Sequence, residues 1–80
     1  MLTTRQYLRI LDPIQLRKLF ELCDFTEVER KLMIYAFVEK RYVQNTCDKL
    51  FICKKQYHNI LNMALIKTEY KLKELDNLRT

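Results

Sequence analysis

The chain has no glycine and a single proline, Pro13, so it lacks the two residues that most often mark turns and loops. A β-rich fold needs such residues at regular spacing between its strands. Apolar residues make up 49% of the 80 positions and charged residues 31%, a globular composition that excludes a disordered tail. These features predict one all-α domain over residues 1–80, a small bundle of four to five helices.

Features typical of membrane proteins and enzymes are missing as well. No apolar run reaches the ~20 residues of a membrane span, and the N-terminus has no basic stretch followed by a long apolar one. No Ser/His/Asp, Cys/His or phosphate-loop arrangement is recognisable. We therefore expect a cytoplasmic protein that is not an enzyme, has no cofactor and does not contact a membrane.

Three cysteines, Cys23, Cys47 and Cys53, cannot all pair within one chain. Their spacing lacks the paired C-x-x-C pattern of a zinc site, and His58 is the only histidine in the sequence. Reduced thiols are typical of cytoplasmic proteins, and free cysteine usually lies in the core. We expect Cys23 and Cys47 to be buried and no metal to be bound.

Apolar residues recur at three- and four-residue spacing, which predicts amphipathic helices. Asp12 and Pro13 suit the start of one helix, and Thr26 with Glu29 forms a capping box that opens the next. The predicted helices cover residues 4–11, 13–23, 27 to about 39, 43–51, and a long last helix from residue 54 that frays over 76–80. Residues 1–24 form N-terminal helices, and residues 25–75 form the core of the domain.

Basic residues concentrate in one part of the chain. Residues 40–68 contain six basic residues and one acidic residue, a net charge of +5, whereas the rest of the chain is neutral. A neutral body with one basic segment is typical of a polyanion-binding face. A solvated surface that happens to be basic is the alternative that charge alone leaves open.

Residues 42–65, YVQNTCDKLFICKKQYHNILNMAL, have the features that a helix-turn-helix requires. Cys47 is the small residue that lets two helices cross closely, and Leu50 and Ile52 flank the turn. Tyr57 and Leu61 are the inward anchors of the second helix. Polar and basic side chains fall on or beside its outer face, at Lys54, Lys55, Gln56, His58, Asn59 and Asn62.

These outer side chains suit double-stranded DNA. Lysines neutralise phosphates, and Gln and Asn pair bidentately with adenine in the major groove. We expect Lys55, Gln56 and Asn59 near base edges. Contacts with the DNA backbone are expected from the flanking residues Arg41, Lys49, Lys54 and His58.

Two stretches carry a resemblance to a known family: FTEVERKLMIYAFVEKRY and NTCDKLFICKKQYHNILNMALIK. Together, over residues 25–72, they resemble region 4 of sigma-70-type factors, including the short sigma-like regulators of phages. The apolar positions of that pattern are taken by Leu50, Ile52, Tyr57, Leu61, Ala64 and Leu65. Thr46, Phe51 and Cys53 depart from the pattern, because the family has a branched aliphatic residue, glycine and serine there. The N-terminal RQYLRILDPI also resembles the opening of phage sigma-like proteins.

The resemblance implies a sequence-specific DNA-binding transcriptional regulator of phage or mobile-element type. It implies promoter-type DNA as the ligand and leaves a contact with RNA polymerase open. A homodimer is compatible with this reading, since one small domain reads few base pairs and two-fold pairing is a common solution.

A protein-interaction adaptor or inhibitor is the alternative function. Its last helix would supply a partner surface or a dimer seam through Leu61, Leu65, Leu72 and Leu75. Tyr57 and Tyr70 are expected to be core or dimer contacts. An adaptor would expose an apolar stripe on the last helix or on residues 1–22, whereas DNA binding requires the polar positions of that helix to be exposed.

Overall fold

The computed structural model describes residues 3–78, which form five α-helices connected by short turns. The helices are α1 (Thr4–Ile10), α2 (Pro13–Leu22), α3 (Glu27–Met33), α4 (Val43–Leu50) and α5 (Lys54–Leu78), and a π-helical segment (Ile34–Val38) directly continues α3. No strand occurs within residues 3–78. The all-α fold class expected from the missing turn residues is therefore confirmed.

The helix starts predicted from capping residues are confirmed in detail. At α2, the Asp12 carboxylate accepts a hydrogen bond from the Gln15 amide at 2.8 Å, and the Gln15 side chain accepts one from the Asp12 amide at 3.1 Å. Thr26 and Glu29 make the equivalent pair at α3, at 3.2 and 2.8 Å. Each box satisfies two backbone donors that the first turn of a helix leaves without partners.

The long helix α5 packs along α3 and also contacts α1 and α4. Its 25 residues extend about 37 Å at 1.5 Å per residue, so α5 accounts for most of the 42 Å long dimension of the molecule. All five helices contribute to one core, whose members include Leu8, Leu16, Phe20, Leu32, Cys47, Tyr57, Leu61 and Ala64. Because α5 crosses this core, its exposed side is held in a fixed orientation.

Cys23 and Cys47 are buried free thiols, as predicted, and Cys53 is exposed. Burial raises the pKa of both buried thiols above the ordinary value, although a hydrogen bond with Thr68 partly opposes this for Cys23. Both therefore behave as protonated, small apolar side chains at neutral pH. Within the described part of the chain, no cluster of His, Cys, Asp and Glu is arranged to hold a metal ion.

The third predicted helix ends differently from expectation. Regular α-helix stops at Met33, and the π segment follows, in which the Glu39 amide donates to the Ile34 carbonyl at 2.9 Å. Lys40 then takes a left-handed conformation with φ 53°, and the Arg41 amide donates to the Tyr35 carbonyl at 2.8 Å. Apolar spacing predicts helix here but not its type, because five residues are too few to reveal a changed period.

At its C-terminal end α5 continues through Leu78, and residues 79 and 80 lie outside the described range. The expected fraying over residues 76–80 stays a prediction. Ion pairs between Lys73 and Glu69 at 3.4 Å and between Lys71 and Glu74 at 3.2 Å stabilise these last turns. The other predicted boundaries agree with the structure to within one residue.

Candidate nucleic-acid interface

A three-residue turn, Phe51–Cys53, connects α4 to α5. Phe51 has the left-handed values φ 57° and ψ 44°, and the Ile52 amide donates to the Cys47 carbonyl at 3.0 Å. This is the hydrogen bond of a Schellman C-cap, whose left-handed position usually holds glycine. Phe51 adopts the conformation nonetheless, and its side chain is 93% exposed. The turn therefore stays tight even though Phe51 stands where glycine is usual.

Inward-facing residues fix the rotation of α5 about its own axis. Tyr57 and Leu61 are buried, as predicted, and Ala64 continues the buried side one turn further. Leu50 and Ile52, on either side of the turn, are half-buried and pack against the same core. Burial raises the pKa of Tyr57, so its phenol stays protonated within the core. The phase predicted for this helix is thus confirmed.

Exposed polar side chains cover the outer side and the flanks of the first half of α5. They belong to Lys54, Lys55, Gln56, His58, Asn59 and Asn62. We call these six residues the polar face. It contains no acidic side chain, and α5 has no acidic residue in its first turn, so the basic charges are not neutralised from within the face. The exposure that DNA binding requires is therefore present.

Gln56 has a role that its sequence position did not indicate. Its Oε1 accepts a hydrogen bond from the Cys53 amide at 3.0 Å, and the Tyr57 amide donates to the Cys53 carbonyl at 2.9 Å. Gln56 thus acts as the third residue of a capping box. The exposed Cys53 is the N-cap residue of this box, and it caps poorly because its thiol stands where a hydroxyl or carboxylate is usual. Of the three residues expected near bases, Gln56 is the one already engaged by the backbone.

Arg41 is more constrained than expected, whereas Lys49 is exposed. The Arg41 guanidinium lies 2.8 Å from the Glu39 carboxylate, donates to Asn45 Oδ1 at 2.9 Å and stands 5.5 Å from the centre of the Tyr35 ring. Lys49 Nζ lies 6.0 Å from the same ring. The carboxylate of Glu39 offsets the charge of Arg41, so Lys49 is the more available cation of the two.

A basic surface that the sequence analysis missed lies beside the polar face. It is a groove of about 530 Å³ between α1, the turn before α4, and α5. Its charged and polar lining consists of Arg5, Arg9, Lys40, Arg41, Tyr42 and His58, which we call the basic groove. The one available signal was that residues 1–11 contain two arginines four apart and no acidic residue. Nothing in that pattern indicates which surface α1 packs beside.

Exposed apolar side chains also occur, and they bear on the alternative function. Met63, Ile66 and Tyr70 are 53%, 56% and 77% exposed and share one side of α5; we call them the apolar patch. Of the two tyrosines expected to be core or dimer contacts, Tyr57 lies in the core, whereas Tyr70 does not, and a dimer contact at Tyr70 stays a prediction. Ile10, Ile14 and Leu22 are further exposed residues, within the N-terminal helices.

The packing of α5 leaves only part of the suggested dimer seam accessible. Leu61 is buried, and Leu65, Leu72 and Leu75 are half-buried and pack against the chain's own core. Leu61 is therefore inaccessible to a second helix, and only part of each of the other three leucines is accessible. The polar face and the apolar patch are more exposed than these leucines.

Within the described residues, no helix combines the length and the apolar character needed to cross a membrane. Comparisons of the chain with protein-family models, with curated proteins and with solved structures find no match. The likeness to sigma-type region 4 therefore stays a prediction that rests on the residues that carry it.

Proposed function

We propose that this chain binds double-stranded DNA with a helix-turn-helix made of α4 and α5, in which α5 is the recognition helix. The observation that carries the proposal is the division of α5 into two sides. Tyr57 and Leu61 are buried, and the six residues of the polar face are exposed on the same turns. A recognition helix needs this division, because one side anchors it to the scaffold while the other enters the major groove.

Electrostatic attraction supplies most of the affinity in this proposal. Lys54 and Lys55 open α5, and no acidic side chain within the polar face competes with phosphates for them. Binding of each phosphate releases condensed counterions, so the affinity falls as the salt concentration rises. Lys49, exposed in the last turn of α4, adds a contact on the other side of the turn.

Only some residues of the polar face are suited to base recognition. Asn59 is exposed on the outer side of α5, and an Asn side chain pairs bidentately with adenine. Gln56 must first give up its hydrogen bond with the Cys53 amide, which costs roughly 0.5–1.5 kcal/mol. Lys55 and Asn59 are therefore the main candidates for sequence readout, with Gln56 as a conditional third.

The biological setting that we propose is regulation of transcription, of the phage or mobile-element type. It is supported by the likeness of residues 25–72 to sigma-type region 4 and by the polar face described above. An RNA polymerase contact and a homodimer belong to the same proposal as further partners. The exposed Met63, Ile66 and Tyr70 are an available surface for either one.

Charge reversal on α5 tests the proposal. Lys54→Glu/Lys55→Glu is compared with Arg17→Glu/Lys18→Glu, which changes the same number of charges at two exposed positions of α2. Fluorescence anisotropy with random-sequence duplex DNA is expected to show that the α5 variant loses binding and that the α2 variant loses far less. Equal losses in the two variants would show that net charge alone governs binding and would contradict a dedicated face.

The adaptor or inhibitor is the second candidate, and the apolar patch is the observation that favours it. Met63 and Ile66 are each more than half exposed on a helix whose other side is buried. Large exposed apolar side chains that lie together are typical of protein-contact surfaces. Absence of DNA binding at low salt, with the chain folded by circular dichroism, would favour this function. Met63→Lys/Ile66→Lys would then abolish partner binding without unfolding the chain.

A further inference from the structure

The basic groove brings together basic side chains from distant parts of the chain. Arg5 and Arg9 lie four residues apart on α1, so their side chains project from the same side about 6 Å apart along the helix axis. Lys40 reaches the groove from the turn before α4, and His58 reaches it from α5. Four side chains from three elements thus converge on one concave surface.

The charge of this groove is only partly neutralised. Arg41 is paired with Glu39 at 2.8 Å, but within residues 3–78 neither Arg5 nor Arg9 has an ion-pair partner, and no acidic side chain lines the groove. Arg5 and Tyr57 both line the groove; burial raises the pKa of Tyr57, and the positive charge of Arg5 acts in the opposite direction. An uncompensated concentration of positive charge in a concave surface attracts an anion.

The basic groove and the polar face share a residue. His58 belongs to both, and Asn59 is the next residue along α5. Tyr42, at the rim, is 87% exposed and offers a phenolic hydroxyl, a group that commonly donates to phosphate oxygens. The groove therefore borders the polar face at His58.

We infer that the basic groove binds the sugar-phosphate backbone of the duplex whose bases the polar face contacts. The inference rests on the proposed function and extends it, because it makes α1 a DNA-binding element. In a helix-turn-helix complex the backbone flanks the recognition helix, and phosphate contacts fix its register. Arg5 and Arg9 are the principal phosphate ligands, and Lys40 contacts the same strand.

Removal of the α1 charges tests the inference. Arg5→Gln/Arg9→Gln is compared with Arg17→Gln/Lys18→Gln, an equal charge change on α2, and all four positions are exposed. We expect the α1 variant to bind duplex DNA about tenfold more weakly, equally for every sequence, and its slope of log K against log salt to fall by about 1–2. The α2 variant is expected to keep the native slope.

A second variant tests the groove without altering α1. Lys40→Asn removes one charge, and asparagine tolerates the left-handed backbone that this position has. We expect the salt slope to fall by about 1. A native slope and native affinity in both groove variants, while Lys54→Glu/Lys55→Glu abolishes binding, would overturn the groove inference and leave the proposed function intact. No duplex binding by the native chain would overturn both.

Inorganic phosphate distinguishes a backbone site from a site for a free anion. DNA is titrated in phosphate and in chloride buffers of equal ionic strength. If the groove holds the DNA backbone, free phosphate competes with the duplex, so the native chain is expected to lose more affinity in phosphate than Arg5→Gln/Arg9→Gln does. Phosphate binding that requires Arg5 and Arg9 but leaves the DNA affinity of the native chain unchanged would show that the groove holds a free anion away from the duplex and would overturn the inference.

Discussion

The ammonium group of Lys67 lies 2.6 Å from Oε1 of Glu29, and this ion pair connects α5 to the first turn of α3. The same Oε1 accepts a hydrogen bond from the Thr26 amide at 2.8 Å. Glu29 is 6% exposed, so it caps one helix and fixes another from a nearly buried position. Since α5 carries the polar face, the pair contributes to the position of the proposed recognition surface.

Neutralising Glu29 is expected to lower stability. Glu29→Gln keeps the capping box, since glutamine also serves at that position, but it removes the charge partner of Lys67. The expected loss in free energy of unfolding is about 1–2 kcal/mol. The loss is limited because Lys67 is one-third exposed, so its ammonium group can be hydrated once the carboxylate is gone. Glu27→Gln is the control, because the pair between Glu27 and Lys31 is exposed and is worth under about 0.5 kcal/mol. Urea unfolding measures both, and equal losses would contradict the role of Glu29.

The contribution of Glu29 is expected to depend on pH. Burial acts to raise its pKa, but the Lys67 and Thr26 interactions outweigh burial and hold the pKa below the ordinary value. A carboxyl with a lowered pKa in the folded state stabilises the fold above its unfolded pKa, and this stability is lost as the pH falls through the folded value. The difference between the native chain and Glu29→Gln should therefore shrink on acidification. A difference that stays constant would show that the charge does not contribute.

Replacing Thr46 is expected to raise stability. Its Oγ1 is buried and has no hydrogen-bond partner within the described residues, and a buried hydroxyl without a partner costs about 1–3 kcal/mol. Thr46→Val keeps the shape and removes that cost. Thr68→Val is the matched control, because the buried Thr68 hydroxyl donates to the Ala64 carbonyl at 2.8 Å. Thermal unfolding should show a gain for Thr46→Val and none for Thr68→Val, and the reverse order would contradict the assignment.

The left-handed conformation of Phe51 predicts different stabilities for glycine and alanine at this position. Glycine removes the clash of Cβ with the backbone, whereas alanine removes only the phenyl ring. Phe51→Gly is therefore expected to be more stable than Phe51→Ala by about 1 kcal/mol. Chemical denaturation of the two variants gives this difference. A more stable Phe51→Ala would indicate that the turn does not require φ 57° in solution.

The sequence predicts this fold well where the relevant interactions are local. Asp12 with Pro13 and Thr26 with Glu29 start helices where expected, because a cap depends on residues within one turn. The box of Thr3 with Gln6 was missed, although the same spacing marks it. Buried and exposed sides of α5 follow from the spacing of its apolar residues alone.

Features that depend on packing between helices could not be predicted in this way. The basic groove exists because α1 lies against α5, and no local pattern in residues 1–11 specifies that contact. The bond of Gln56 to the Cys53 amide was missed for a different reason, since the residue suited base recognition equally well. The left-handed Lys40 has no glycine to mark it.

Binding of duplex DNA by the native chain through an electrostatic interface is the property on which the proposed function depends. The measurement is a fluorescence-anisotropy titration of random-sequence duplex with the native chain at two salt concentrations, roughly 50 and 200 mM. Micromolar binding is expected at the lower salt concentration, with a steep loss of affinity at the higher one. A folded chain that shows no binding at the lower concentration would contradict the proposed function.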